Sequence, residues 1–197
     1  MIADPRLPCP LPLQQRLPNR PGSLLNRSAL FTTQYPYTGS SVMLALLPET
    51  NYSVEVMQFG GADIRATSNL NLLACRESMR IKVVPSAKPD GVYTFAGGWV
   101  QEDMGSPRVM PDSVLLPNGM VIVMSGAKAG LAGDSASGGG SRANFPNLYA
   151  ELYDPYAPLG QRWSTLANTQ IARLCEFAGA IGYAGVAALA TPWGVRS

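Results

Sequence analysis

The chain has 197 residues, of which 46% are hydrophobic and 14% are charged, and its formal net charge is +2. Since the usual charged share is about 25%, the composition fits a single globular domain, and the small basic surplus gives nucleic-acid binding no electrostatic basis. The chain contains no histidine, which excludes a Ser-His or Cys-His catalytic pair and any histidine-ligated zinc or copper site.

The first 34 residues are rich in proline and contain no apolar stretch long enough for the core of a signal peptide. Six prolines fall between Pro5 and Pro21. This composition predicts a disordered leader over residues 1–34. A polyproline recognition segment is the alternative, although no defined ligand motif accompanies the prolines.

Short apolar runs separated by turn residues follow the leader. In chain order, the predicted strands are Val42–Leu47, Tyr52–Phe59, Arg80–Val84, Ser113–Leu116, Met120–Met124 and Tyr149–Tyr153. Pro117-Asn118-Gly119 predicts a hairpin, because Asn-Gly readily adopts the positive φ that tight turns require. None of these runs reaches helical length, so the sequence predicts an all-β body.

The strand pattern repeats once along the chain. Gly60 and Gly126 each follow an apolar strand and precede an alanine by one or two positions, and Trp99 and Trp163 each follow the next strand. Two strands, a glycine stop, a third strand and a tryptophan-bearing fourth describe one blade of a kelch-type β-propeller. The unit is longer than the roughly 50 residues typical of kelch repeats, which predicts inserted loops such as Lys128–Asn147.

The last part of the chain differs in composition from the rest. The stretch Phe177–Val195 carries no charge and approaches the roughly 20 residues that a membrane span needs. It consists mainly of alanine and glycine, which barely favour insertion, and Pro192 interrupts it. We therefore expect no membrane anchor here. The alternatives for residues 175–197 are a translation in another reading frame, a retained intron or a divergent blade.

Several segments together resemble the glyoxal oxidase family of copper-radical oxidases. The most specific is Trp99–Gly133, which contains the Pro-Arg-Val-Met stretch, the Leu-Pro-x-Gly hairpin and the Gly-x-Ala-Gly loop of that family. The other matching segments are Tyr37–Leu46, Val54–Ala62, Cys75 with Arg80-Ile81-Lys82, Tyr153-Asp154-Pro155, Arg162-Trp163 and Ile171-Ala172-Arg173. The resemblance covers residues 35–174 and implies about two blades of a kelch-type, galactose oxidase-like β-propeller, which would be incomplete.

The resemblance also implies a chemistry, which this chain cannot perform alone. The family oxidises aldehydes to carboxylic acids, reduces dioxygen to hydrogen peroxide, and uses copper with a Cys-Tyr radical. The Tyr-His pair of the family falls on Cys175 and Glu176. Cys175 supplies no phenolate, and the carboxylate of Glu176 is a poor substitute for imidazole at copper. We therefore predict no catalytic, cofactor-binding or metal-binding residue in this chain, and no cofactor.

Other candidate motifs have simpler interpretations. Glu102 and Asp103 are predicted to form a solvated loop pair, because adjacent strand residues point to opposite faces and cannot flank one bond. Ser135 has no base to activate it, and Gly138–Gly140 lacks the Lys-Ser/Thr ending of a phosphate loop. The two tryptophans are predicted to lie in the blade core. The three cysteines, Cys9, Cys75 and Cys175, form no CxxC pair that could hold a metal.

The sequence thus predicts a leader over 1–34, glyoxal oxidase-like blades over 35–174 and a divergent tail over 175–197. The predicted function is that of an inactive fragment of a copper-radical aldehyde oxidase. A non-catalytic propeller binding module and a pseudogene product are the alternatives. For the complete family the partners would be small aldehydes, and no nucleic acid, membrane or specific protein partner is expected. The resemblance implies an extracellular location, which the sequons at Asn26 and Asn51 suit.

Overall fold

The structure is a computed structural model, and it describes residues 31–85, 93–134 and 140–172. Within these residues it is all-β, with twelve strands and two single-turn 3-10 helices at Pro48–Thr50 and Ile64–Thr67. This confirms the predicted fold class. The predicted tail, and all of the predicted leader except residues 31–34, lie outside the described residues, so their boundaries stay predictions.

Two four-stranded antiparallel sheets form the body of the molecule, and each is a meander in chain order. Blade one consists of β2 (Gly39–Met43), β3 (Val54–Gly60), β5 (Glu77–Pro85) and β6 (Tyr93–Asp103). Blade two consists of β7 (Asp112–Leu115), β8 (Val121–Met124), β11 (Tyr149–Tyr153) and β12 (Trp163–Asn168). Antiparallel four-stranded meanders are the blades of β-propellers. The described residues therefore form two blades of an incomplete β-propeller.

The repeat predicted from the sequence is confirmed, with a shift of one residue at the first glycine. The second strand of each blade ends in two residues of positive φ, which are Gly60-Gly61 in blade one and Ser125-Gly126 in blade two. The carbonyl of Gly61 accepts a hydrogen bond from the amide of Cys75, and the carbonyl of Gly126 accepts one from the amide of Asn147. Gly61, rather than Gly60, is therefore the counterpart of Gly126.

The predicted hairpin between β7 and β8 is also confirmed. The amide of Gly119 donates to the carbonyl of Leu116 at 2.9 Å, and the amide of Met120 donates to the side-chain oxygen of Asn118 at 3.1 Å. Gly119 has a φ of 82°, which only glycine adopts without strain. The asparagine thus closes the turn with its side chain, and the glycine supplies the left-handed backbone.

Four further strands form two small antiparallel sheets beside the blades. β1 (Phe31–Thr32) pairs with β4 (Ala62–Asp63), and β9 (Ala127–Asp134) pairs with β10 (Ser141–Pro146). Residues 128–147 are an insertion between β8 and β11, as predicted, but most of this segment forms the β9–β10 pair rather than a loop. Its alanines and glycines lack the β-branched signature of strands. Burial of Ala127, Ala129 and Leu131 stabilises β9 instead.

The core is divided into two clusters. The first lies between the blades and joins Leu44, Met57 and Phe59 of blade one and its connection to Val121, Val123 and Tyr153 of blade two, with Met104 between them. The second lies under the small sheets and contains Val109, Leu131 and several alanines. The first cluster fixes how one blade packs on the other, and it positions the polar residues described below.

No helix among the described residues is long and apolar enough to cross a membrane. The uncharged stretch Phe177–Val195 lies outside those residues.

Candidate functional site

The densest group of charged side chains lies between the two blades. Glu55 and Arg80 of blade one form an ion pair, and the Arg80 guanidinium also donates to the carbonyl of Pro155 at 3.1 Å. Arg162 of blade two donates to Glu102 of blade one at 3.1 Å. The contacts of Arg80 with Pro155 and of Arg162 with Glu102 cross the blade boundary, because the face of blade one that contains Met57 and Arg80 packs on Tyr153 and Trp163.

Tyr153 lies at the centre of this group. Its hydroxyl donates to Glu102 at 3.3 Å and accepts weak hydrogen bonds from Arg80 at 3.4 Å and Arg162 at 3.5 Å. Burial raises the pKa of the Tyr153 hydroxyl above its usual value, although the contact with Arg80 opposes that rise. Burial by itself lowers the pKa of Arg80, but hydrogen bonds with Glu55 and Tyr153 outweigh it and the pKa is raised.

Stability at alkaline pH should depend on Tyr153. Because folding raises its pKa, the stabilisation is complete below the unfolded value of about 10 and is lost as the pH rises through the folded pKa. Tyr153→Phe should lose stability less steeply above about pH 10, at a cost of about 0.5–1.5 kcal/mol near neutral pH from lost hydrogen bonds. Urea unfolding at a series of pH values tests this, with the exposed Tyr156→Phe as control. Parallel pH profiles for wild type and Tyr153→Phe would contradict it.

A second ion pair is fully buried in blade two. Arg108 is 0% exposed and donates to Glu151 at 3.2 Å, to the carbonyl of Ser125 at 2.8 Å and to the carbonyl of Tyr149. Glu151 also accepts from the hydroxyl of Ser106 at 3.2 Å. Burial lowers the pKa of Arg108, and the attraction of Glu151 opposes that effect. The Arg108 side chain thus links the segment before β7 to the end of β8 and to the start of β11.

The backbone of Arg108 also contacts the Gly60-Gly61 pair at the end of β3. The amide of Gly61 donates to the carbonyl of Arg108 at 2.9 Å, and the amide of Arg108 donates to the carbonyl of Cys75 at 3.1 Å. A Cβ on Gly60 would lie 2.2 Å from the Arg108 carbonyl oxygen, so no larger residue fits there without displacing the chain. Arg108 therefore contacts blade one through its backbone and blade two through its side chain.

The structure corrects one predicted pair. Glu102 and Asp103 were expected in a solvated loop, but both lie in β6, opposite Ser78 and Glu77. They point to opposite faces, as expected. The side chain of Glu102 is only 7% exposed because the neighbouring blade covers it, while Asp103 is exposed and pairs with Arg76 at 2.6 Å. The sequence could not show this, since the partner of Glu102 comes from the following blade.

The two tryptophans have different surroundings. Trp163 packs edge-on against Phe59, with ring centroids 5.8 Å apart, and against Tyr153 at 5.0 Å. Its ring nitrogen donates to the hydroxyl of Ser78 at 3.2 Å. This confirms its prediction as a core residue. Trp99 lies in the bulge of β6 opposite Ile81 and is half-buried, on the face of blade one that points away from blade two.

The remaining predicted motifs are not brought together by the described structure. Ser135 and Gly138–Gly139 fall in residues 135–139, and Cys175 and Glu176 fall after residue 172, so all of them lie outside the described residues. Among residues 31–85, 93–134 and 140–172, no group of three or more His, Cys, Asp or Glu side chains is placed to hold a metal ion.

The donors that are described do not fit a copper-radical centre. The carboxylates of Glu55, Glu102 and Glu151 each form an ion pair with an arginine. Imidazole, the ligand that suits copper in such a site, is not available because the whole chain lacks histidine. The charged residues between the blades therefore join the blades together, and we derive no catalytic step from them.

Sequence reasoning did not find Arg108 and Glu151 as a pair. In the sequence, Arg108 stands in the Pro-Arg-Val-Met stretch and Glu151 in the predicted strand Tyr149–Tyr153. One signal was present in each case: an arginine directly before Val109-Met110, and a glutamate inside an otherwise apolar strand. Charged residues in such contexts are rarely buried unless they are paired.

The chain is similar to one family model and to several known proteins. A family model described as "Glyoxal oxidase N-terminus" matches residues 25–186. Aldehyde oxidase GLOX1 of Arabidopsis thaliana is 33% identical over 164 residues, which cover 81% of this chain and 24% of that protein. Aldehyde oxidase GLOX of Vitis pseudoreticulata is 34% identical over 146 residues, which cover 71% of this chain and 24% of that protein.

A fungal protein gives a similar match. The WSC domain-containing protein of Arthroderma benhamiae is 34% identical over 159 residues, which cover 80% of this chain and 15% of that protein. The chain therefore spans less than a quarter of the length of each of these curated relatives.

Proposed function

The chain belongs to the glyoxal oxidase family, and we propose that it supplies two adjacent scaffold blades of a copper-radical aldehyde oxidase without contributing a copper ligand. Two relatives carry the name aldehyde oxidase. The observation that carries the proposal is the blade boundary, where the largely buried carboxylate of Glu102 pairs with Arg162 and an aromatic cluster of Phe59, Tyr153 and Trp163 closes the interface. Such an interface holds blades in a fixed relation, which a multi-blade active site requires.

The chemistry of the complete protein belongs to the same proposal. Its substrates would be small aldehydes, its products a carboxylic acid and hydrogen peroxide, and its copper would be bound by residues that this chain does not contain. The kelch-type architecture and an extracellular location are proposed with it. Exposure of Asn51, which begins the sequon Asn51-Tyr52-Ser53, supports the location, because glycosylation requires an accessible asparagine.

A chimera tests the scaffold role directly. Residues 35–172 of this chain would replace the matching segment of Aldehyde oxidase GLOX1 of Arabidopsis thaliana, so that the Tyr-His pair after this segment comes from the host. We expect the chimera to bind copper and to release peroxide with an aldehyde. The control exchange uses the same segment of Aldehyde oxidase GLOX of Vitis pseudoreticulata. If the control is active and the chimera folds but binds no copper, the scaffold proposal is wrong.

A further inference from the structure

The connection between β2 and β3 ends in a tight turn at Asn51 and Tyr52. Both residues have a φ of 53°, and the amide of Ser53 donates to the carbonyl of Thr50 at 3.2 Å across the turn. Positive φ at both central residues is typical of a type I′ turn, in which asparagine is favoured at the first position. The backbone conformation alone therefore accounts for an asparagine, aspartate or glycine at position 51.

The side chain of Asn51 is accessible in the folded chain. The residue is exposed, as is its neighbour Tyr52, and the Asn51 carboxamide forms no hydrogen bond with the part of the chain that the structure describes. Strand β3 separates Asn51 from Gly60, so the turn lies at the end of blade one opposite the contacts with Arg108. A group attached to Asn51 would therefore leave those contacts intact.

Ser53, the third residue of the sequon, has a hydroxyl that the folded chain does not use. Its Oγ atom is buried and has no hydrogen-bond partner among the described residues. Ser53 lines a cavity of about 40 Å³ together with Thr50, Arg80 and, from the following blade, Tyr156. Buried hydroxyls are normally hydrogen-bonded, so packing gives no reason for a serine here. Recognition of the sequon does, because N-glycosylation requires a serine or threonine hydroxyl two residues after the asparagine.

We propose that Asn51 is an N-glycosylation site and that its glycan is attached before β2 and β3 pair. The amide nitrogen of Asn51 forms a bond to the anomeric carbon of an oligosaccharide. The bond from that carbon to a lipid-linked diphosphate breaks, and the amide gives up one proton as the lipid diphosphate leaves. The transferase contacts both the carboxamide and the Ser53 hydroxyl, and the folded turn exposes only the carboxamide. The acceptor is therefore complete only while this segment is unfolded.

The test sends the chain into the secretory pathway, because the proposal rests on the extracellular location proposed above. The full chain behind an added secretory signal is expressed in a eukaryotic host, and whole-cell protein is compared with and without peptide-N-glycosidase. The chain has two sequons, at Asn26 and Asn51, so Asn26→Gln isolates the second. This variant should lose the mass of one glycan on treatment, whereas Asn26→Gln/Asn51→Gln and Asn26→Gln/Ser53→Ala should not change. Asn26→Gln/Ser53→Thr keeps the hydroxyl and should behave like Asn26→Gln alone.

Removal of the added signal shows that a chain has entered the pathway. A processed Asn26→Gln chain whose mass peptide-N-glycosidase does not change overturns the proposal and leaves the scaffold role of the blades untouched. The order of events is tested on the Asn26→Gln chain made in bacteria, with a purified oligosaccharyltransferase and a lipid-linked oligosaccharide. Trypsin releases the sequon in the peptide 28–65, which should be glycosylated, while the intact chain, shown by circular dichroism to be folded, should not. Equal glycosylation of the two would overturn the order.

Discussion

Replacement of Glu151 by leucine is expected to lower the free energy of unfolding by about 3–5 kcal/mol, because it leaves the charge of Arg108 buried without a partner. Both side chains are almost inaccessible, at 0% exposure for Arg108 and 2% for Glu151. Water therefore cannot take the place of the carboxylate. A loss of this size is a large fraction of the stability of an ordinary domain, and we expect Glu151→Leu to be unfolded or to accumulate poorly.

The matched control is Asp103→Asn, which removes a carboxylate from an ion pair of similar type. Asp103 is 41% exposed and Arg76 is 28% exposed, so solvent screens this pair and its loss should cost about 0–1 kcal/mol. The double variant Arg108→Met/Glu151→Leu should recover part of the loss, since the uncompensated charge is gone while two carbonyls lose their donor. Urea unfolding measures all three. Equal losses for Glu151→Leu and Asp103→Asn would show that Arg108 is solvated rather than buried.

The second large effect is expected at Trp163. Its replacement by alanine removes the ring that packs on Phe59 and Tyr153 and leaves a cavity between the blades. Substitutions of this kind cost about 3–5 kcal/mol in a packed core, and the partial exposure of Trp163 places the expected loss at the lower end. The unfolding midpoint in urea, followed by circular dichroism, measures it.

Trp99→Ala provides the comparison, because Trp99 occupies the equivalent position in blade one but lies on the face of that blade that points away from blade two. In dilute solution the loss should be clearly smaller than for Trp163→Ala. Equal losses at low protein concentration would mean that Trp99 is covered within a single chain. That result would contradict the assignment of Trp99 to the face of blade one that points away from blade two.

The order of the strands could be predicted from the sequence because its signals are local. Apolar runs end at Gly60-Gly61, at Asn118-Gly119 and at Asp154-Pro155. In the structure a strand ends at or shortly before each of these pairs. The register of the first glycine could not be predicted, since either of two adjacent glycines satisfies the pattern. Hydrogen bonds to residues distant in the chain decide between them.

The blade boundary could not be predicted because its partners are far apart in the sequence. The sequence around Glu102 gives no indication that Arg162 and Tyr153 cover its side chain. The sequence around Arg108 gives no indication that its partner is Glu151. Strand β9 was missed for a different reason. Its alanines and glycines have little intrinsic preference for extended structure, and tertiary packing under the small sheets determines their conformation.

The central claim is that these blades are scaffold and that their own residues hold no copper. The direct measurement is the copper content of the purified 197-residue chain after incubation with copper and removal of excess metal, together with peroxide release in the presence of methylglyoxal. We expect copper well below one ion per chain and no aldehyde-dependent peroxide, because the chain contains no histidine and its best-placed carboxylates are paired with arginines. One tightly bound copper per chain with aldehyde-dependent peroxide would contradict the account.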